Sequence, residues 1–231
     1  MKDLTREQKR RALRAISMIK EKRCGTIKGQ TVTDGRPQRA LYTKEETTSP
    51  TVSTDALLLS LLVDAHEKRD VATADVAGAY LHARLLDFTL LKLEGDAVDI
   101  MCEVNEGYRK FVTYEHGRKV LYLQLLKALY GCVQSALLWY ELFSGSLMGM
   151  GYKLNPYDTC IANKMVNGKQ CTIAWYVDDN KISHIDPAVV TGVIDNIEAL
   201  FGKMTVTRGT EHVFLGMKIS FREDGTVAVR M

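Results

Sequence analysis

Proline is scarce in this chain, with four in 231 residues, which leaves little room for a proline-rich linker. Cysteine is thin as well. Cys24, Cys102, Cys132, Cys160 and Cys171 are an odd, scattered set with no Cys-x-x-Cys pair, so neither a disulfide framework nor a zinc site is expected, and a reducing intracellular compartment, cytoplasmic or nuclear, is. The longest apolar stretch, over 56–63, falls far short of the roughly 20 residues that span a bilayer. The charged N-terminal stretch has no signal-peptide core. Membrane partners are therefore not expected. The five histidines at 66, 82, 116, 184 and 212 have no metal-ligand spacing, and no internal repeat or low-complexity tract occurs.

What remains is the composition of an ordinary globular chain, 46% hydrophobic and 26% charged, long enough for one mixed domain or two small lobes. The net charge of +3 is unevenly spread: residues 1–44 hold 13 Lys/Arg against 4 Asp/Glu, and the rest hold 18 against 24. Within the basic part, Thr5-x-x-Gln8 can cap a helix whose apolar positions Leu13, Ile16 and Ile19 recur at helical spacing, ended by Gly25. Its basic faces fit either phosphate contact or simple solvation. After it, residues 26–33 and 36–42 read as two strands joined at Asp34-Gly35, the second an edge strand because of Pro37. Ser53 or Thr54 can cap a buried, apolar helix running to about Lys68.

The stretch WYVDDNK (175–181) places two acids between β-branched or aromatic runs, which reads as a hairpin with Asp178, Asp179 and Asn180 at its tip. Turn chemistry alone accounts for acids and Asn at such a tip. A metal site accounts for them too, since neighbouring carboxylates repel by roughly 4 kcal/mol at 4 Å in an effective dielectric of 20, and a divalent cation removes that cost. A third carboxylate, Asp75, ends the short apolar run 71–74 ahead of Gly78. One acid from a first strand set against acids at a hairpin tip is the arrangement of a polymerase palm, which holds two Mg2+ about 4 Å apart. Asn167-Gly168 marks a further hairpin leading into the acid-bearing strand. The stretches 139–143 and 194–201 have helical spacing and are expected to cover the palm sheet.

Four ordered blocks carry a resemblance to a known family: TADVAGAYL (73–81), LKALYGCVQSALLWY (126–140), YVDD (176–179) and FLGM (214–217), with TTSP (47–50) upstream. In order and spacing they resemble the reverse transcriptase domain of copia-type long-terminal-repeat retrotransposons, from about residue 20 to the end. Two positions depart from the family pattern, Val133 in place of Lys and Ala136 in place of Pro. The resemblance implies an α+β fold of fingers and palm, the antiparallel palm sheet backed by helices. Beside the basic N-terminal helix read at 1–25, it implies a fingers-like segment at 26–70, and a palm at 71–231 with inserted fingers-like elements and no thumb. It implies an RNA-directed DNA polymerase, with an inactive nucleic-acid-binding remnant as the alternative. Asp75, Asp178 and Asp179 would hold two Mg2+, or Mn2+ in their place, with the Val76 carbonyl as a further ligand. Tyr80, Gln134, Arg36 and Arg39 would bind the incoming nucleotide, and Phe214, Leu215 and Gly216 would position the primer. The implied partners are an RNA or DNA template with primer, deoxynucleoside triphosphates and other segments of a retrotransposon polyprotein.

Overall fold

The computed structural model describes residues 4–21 and 25–231. Cys24 and the basic residues Lys2, Lys22 and Arg23 lie outside the described residues. Along the chain run α1 (Arg6–Arg11), β1 (Leu13–Glu21), β2 (Ile27–Thr33), α2 (Thr54–His66), β3 (Asp70–Val76), β4 (Arg84–Glu94), α3 (Asp96–Val104), β5 (Thr113–Glu115), β6 (Arg118–Lys127), α4 (Ser135–Gly149), β7 (Lys153–Leu154), β8 (Ile161–Val166), β9 (Lys169–Tyr176), β10 (Asp179–His184), α5 (Pro187–Phe201), β11 (Met204–Arg208), β12 (Glu211–Phe214), β13 (Met217–Phe221) and β14 (Val227–Arg230). Short 3-10 turns occur at Arg36–Gln38, Ala79–His82 and Glu106–Phe111. The fold is α+β. It divides into two units, each made of two separate stretches: 1–48 with 83–138, and 49–82 with 139–231.

The first unit is built on a five-stranded sheet in the order β2-β1-β4-β6-β5. Because successive side chains on a strand face opposite ways, β4 and β6 serve two small cores. Leu91, Leu93 and Leu121 pack with Val98 and Cys102 of α3, while Leu90, Val120 and Tyr122 pack with Ala12.

Among the described residues, the helix expected over 1–25 is limited to α1. Thr5 and Gln8 do form the capping box, but Ala12 is extended and Leu13 begins a strand. The strand prevails because Ala15 to Glu21 find backbone partners along β2, and Leu13 and Arg14 along β4. The same pairing overturns the expected strand at 36–42: β2 is partnered by β1, and Pro37 instead opens a 3-10 turn, where its fixed φ and missing N–H are tolerated. The expected boundary near residue 70 also shifts, since α2 buries Leu57 and Leu61 in the core of the second unit.

The second unit has a six-stranded sheet in the order β11-β3-β10-β9-β8-β7 and a small sheet, β12-β13-β14. Every pairing in the larger sheet is antiparallel. β10 lies near its middle, and Asn180 to His184 are all buried. The helices α4 and α5 supply Phe143, Leu147, Val190, Ile197 and Phe201 to a core that includes Trp175, Ile173 and Ile182 of the sheet. Each fully buried side chain of this kind contributes roughly 1.5–3 kcal/mol relative to exposure. The hairpin at Asn167-Gly168 forms as the sequence predicts, both residues taking positive φ. Among the described residues no helix is long and apolar enough to cross a membrane.

Candidate active site

The acid-bearing hairpin is tighter than the sequence suggests. Strand β9 ends at Tyr176 and β10 begins at Asp179, so the turn consists of Val177 and Asp178 alone. Asn180, expected at the tip, is instead buried inside β10. Val177 takes φ 56, a left-handed conformation that a β-branched side chain adopts only when its surroundings impose it. Those surroundings are three hydrogen bonds. The Trp139 Nε1–H donates to the Val177 carbonyl at 2.6 Å. The Asp178 carbonyl accepts from the Val76 N–H at 3.0 Å and from Asn180 Nδ2 at 2.8 Å.

Register brings the third acid to the same place. Asp75 lies directly opposite Asp179 across the β3–β10 pair, with Thr205 of β11 on its other side. Residues so placed have Cβ atoms about 4.5–5.5 Å apart, and like charges there are unfavourable. Accordingly the Asp179 carboxyl is raised above the ordinary aspartate range, first by burial, then by Asp178 and Asp75. Tyr80, on the 3-10 turn after Gly78, is half-buried against the core. Its phenol is raised by burial, then by Asp178 and Tyr176, which places it electrically near the turn. Among the described residues no group of three His, Cys, Asp or Glu side chains is set to hold a metal ion. The donor chemistry nevertheless fits a hard cation, since the side chains that the β3–β10 register gathers are carboxylates, all oxygen donors.

In the same unit, Leu215 and Gly216 form the turn between β12 and β13, both at positive φ, and Phe214 is buried beneath it. On the sheet face shared by Asp179, Lys181 is fully buried and its ammonium bonds Asp64 of α2. Asp64 stands 3.7 Å from Arg69, whose guanidinium also bonds Glu67 at 2.8 Å and Thr172 at 3.0 Å.

The remaining nucleotide-binding candidates sit in the first unit, on two segments locked together. Gly131, at φ 95, lies so close to the end of β2 that an added Cβ would stand 1.9 Å from the Thr33 carbonyl. The Thr33 N–H bonds the Tyr130 carbonyl at 2.7 Å, and buried Gln38 accepts from the Val133 N–H at 3.1 Å. These contacts fix the Arg36–Gln38 turn beside the segment carrying Gln134, whose carbonyl accepts from Leu138 in the first turn of α4. Arg36 is exposed and paired with Asp34 through Nε at 2.9 Å and Nη2 at 2.6 Å. That pairing holds the Asp34 carboxyl down to about 2. Arg39 is exposed and forms no ion pair among the described residues.

Sequence reasoning missed Asn180, Lys181, Asp64, Gln38 and the indole of Trp139. One signal was available: an Asp near the C-terminal end of a mostly apolar helix and a lone Lys in a strand run, the marks of a buried ion pair.

A family model described as reverse transcriptase (RNA-dependent DNA polymerase) matches residues 3–230. Over 193 residues, 83% of this chain, the sequence is 26% identical to the retrovirus-related Pol polyprotein from transposon RE1 of Arabidopsis thaliana, covering 12% of that protein. It is likewise 26% identical over 193 residues to the corresponding polyprotein from transposon TNT 1-94 of Nicotiana tabacum, covering 13% of it. The chain thus spans about an eighth of the length of these curated relatives. Among solved structures, a foamy viral protease-reverse transcriptase in complex with double-stranded DNA is similar at 14% identity over 89% of this chain and 31% of that one, with TM-score 0.43. A telomerase from Candida albicans with a fragment of telomeric RNA is similar at 11% identity over 98% and 48%, with TM-score 0.49. Both scores are too low for either structure to stand as a template for this chain.

Proposed function

The chain belongs to the reverse transcriptase (RNA-dependent DNA polymerase) family, and from that membership we propose that it performs template-directed DNA synthesis within a copia-type retrotransposon polyprotein. The observation that carries the reading is the pairing of Asp75 with Asp179 beside Asp178, a concentration of negative charge that burial makes costly. Asp75, Asp178, Asp179 and the Val76 carbonyl would hold two Mg2+, or Mn2+. When bound, the ions supply activation of the primer 3′-hydroxyl and charge neutralisation at the leaving pyrophosphate. Tyr80 lies under the sugar of the incoming deoxynucleoside triphosphate and excludes a 2′-hydroxyl by bulk. Arg39 and Arg36 grip phosphate, for which guanidinium is matched in shape. For Arg36 this means exchanging Asp34 for phosphate, an exchange that exposure makes easy. Gln134 contacts the nucleotide, and Phe214, Leu215 and Gly216 seat the primer. The partners are an RNA or DNA template with primer and the neighbouring polyprotein segments.

A second reading is an inactive nucleic-acid-binding remnant, which keeps the fold and the charge without the chemistry. Primer extension with added Mg2+ separates the two. The parent incorporates nucleotide, and Asp75→Asn or Asp178→Asn lowers incorporation by more than about 1000-fold with an unchanged circular dichroism melt. Template binding without incorporation by the parent establishes the remnant, and a mutant that extends primer at the parent's rate refutes the metal assignment.

A further inference from the structure

We propose that Trp139 and Asn180 are positioning residues for the Val177–Asp178 turn; the consequence for turnover rests on the polymerase reading, and the geometry stands independently of it. A turn with a β-branched residue in the left-handed region drifts toward a relaxed conformation unless other groups hold it. Of the three donors that hold this one, two are side chains: the Trp139 indole on the Val177 carbonyl and the Asn180 amide on the Asp178 carbonyl. Both residues are interior, at 1% and 0% exposure.

Neither side chain is the one that packing alone asks for. The Trp139 ring stacks on Phe143 and meets Phe201 edge-on, contacts that a phenyl ring also makes, but only the indole carries a donor. Asn180 occupies an interior strand position on the same face as Ile182, where an apolar side chain suits the core. Its Oδ1 is buried with no hydrogen-bond partner among the described residues, so the amide is retained at a cost to stability. What the amide does supply is Nδ2 at the carbonyl of Asp178. The Val76 N–H donates to the same carbonyl, and that second bond ties the turn to the strand carrying Asp75. Removal of either side-chain donor lets Val177 leave the left-handed region and turns the Asp178 peptide, carrying its carboxylate away from Asp75.

The test uses the full chain with Asn180→Leu and Trp139→Phe, each of which removes a donor while keeping an apolar body. Three quantities are read: the thermal midpoint, amide exchange at Val76 by NMR, and single-nucleotide incorporation as a function of nucleotide and Mg2+. For Asn180→Leu the midpoint is expected to equal or exceed the parent's. Val76 exchange speeds at least about tenfold, kcat falls about 10- to 100-fold as for other residues that orient metal ligands, the nucleotide KM stays within about twofold, and more Mg2+ is needed for half-maximal rate. Unchanged Val76 exchange in a folded Asn180→Leu protein overturns the proposal, as does a kcat that falls only in step with a lowered midpoint. Should Trp139→Phe not fold, the Asn180 arm decides. If the parent itself incorporates no nucleotide, the polymerase reading falls, and Val76 exchange alone still decides whether the side chains hold the turn.

Discussion

Tyr80 stands five positions after Asp75 on a single 3-10 turn, half-buried and electrically close to Asp178. If its ring closes off the sugar's 2′ position, Tyr80→Ala raises the ratio of ribonucleotide to deoxyribonucleotide incorporation by about tenfold or more, one factor of ten being about 1.4 kcal/mol of discrimination. An unchanged ratio in single-nucleotide assays assigns the ring to packing alone. His212 gives a residue-scale prediction that needs no activity. It is buried, with Nε2–H donating to the Gly209 carbonyl at 2.8 Å and Nδ1 accepting from the Thr73 hydroxyl at 3.2 Å, and burial lowers its pKa below the ordinary 6.5. The unfolded chain takes up a proton that the folded chain refuses, so this contribution to stability is complete above about pH 6.5 and is lost as the pH falls below it. Urea midpoints at pH 7.5 and 5.5 are expected to differ less for His212→Gln than for the parent. At this scale the placement of Asp75 against the acid-bearing hairpin was legible, because residue type and local spacing announce it. Asn180 was not, because what it bonds depends on a turn whose length the sequence leaves open.

Among the elements, β10 is the one that every argument about the site passes through. It carries Asp179 at its open end, Asn180 on one face, and Lys181 on the other, paired with Asp64 from a helix far away in sequence. Removing one member of a buried ion pair leaves the other uncompensated, so Lys181→Met is expected to lower the unfolding free energy by about 3 kcal/mol or more. Adding Asp64→Leu restores most of it, because two apolar groups replace two desolvated charges. Denaturant titration of the two single variants and the double variant measures the coupling, and a decrease in the double variant equal to the sum of the two single decreases would mean that the two residues contribute independently and the pair adds nothing. Elements were legible where their pattern was self-sufficient: α2 with its Ser53 cap, the Asn167-Gly168 hairpin, and the strands on either side of the acids. They were misread where a distant partner decided. Leu13, Ile16 and Ile19 suit a helix, yet the free backbone of β2 and β4 takes them into a strand. Strand β2 was legible, but Gly35 packs on Gly131 and the segment after it forms a 3-10 turn instead of a second strand.

At the scale of the whole molecule, the basic N-terminal segment contributes a strand to the first unit, so its charge must be tested without deleting it. Arg6 and Arg10 are exposed and form no ion pair among the described residues. If they meet phosphate, Arg6→Gln with Arg10→Gln lowers the magnitude of the log–log salt slope for primer-template binding by about 0.7–0.9 for each phosphate left unneutralised. Equal slopes assign them to solvation. The bounds of the two units were not legible, because each is assembled from stretches that the other interrupts. That interleaving sets the order in which a newly made chain can acquire its chemistry. Strand β3, carrying Asp75, ends up between β10 and β11, which leave the ribosome about a hundred residues later, a delay of roughly 5–20 s at ordinary elongation rates. Throughout that interval β3 is an apolar strand with both edges open, a natural client for chaperones and a natural seed for misassembly. The acids proposed for the site therefore meet only once β10 has been made, and a chain whose translation stalls before residue 179 has Asp75 but nothing for it to face.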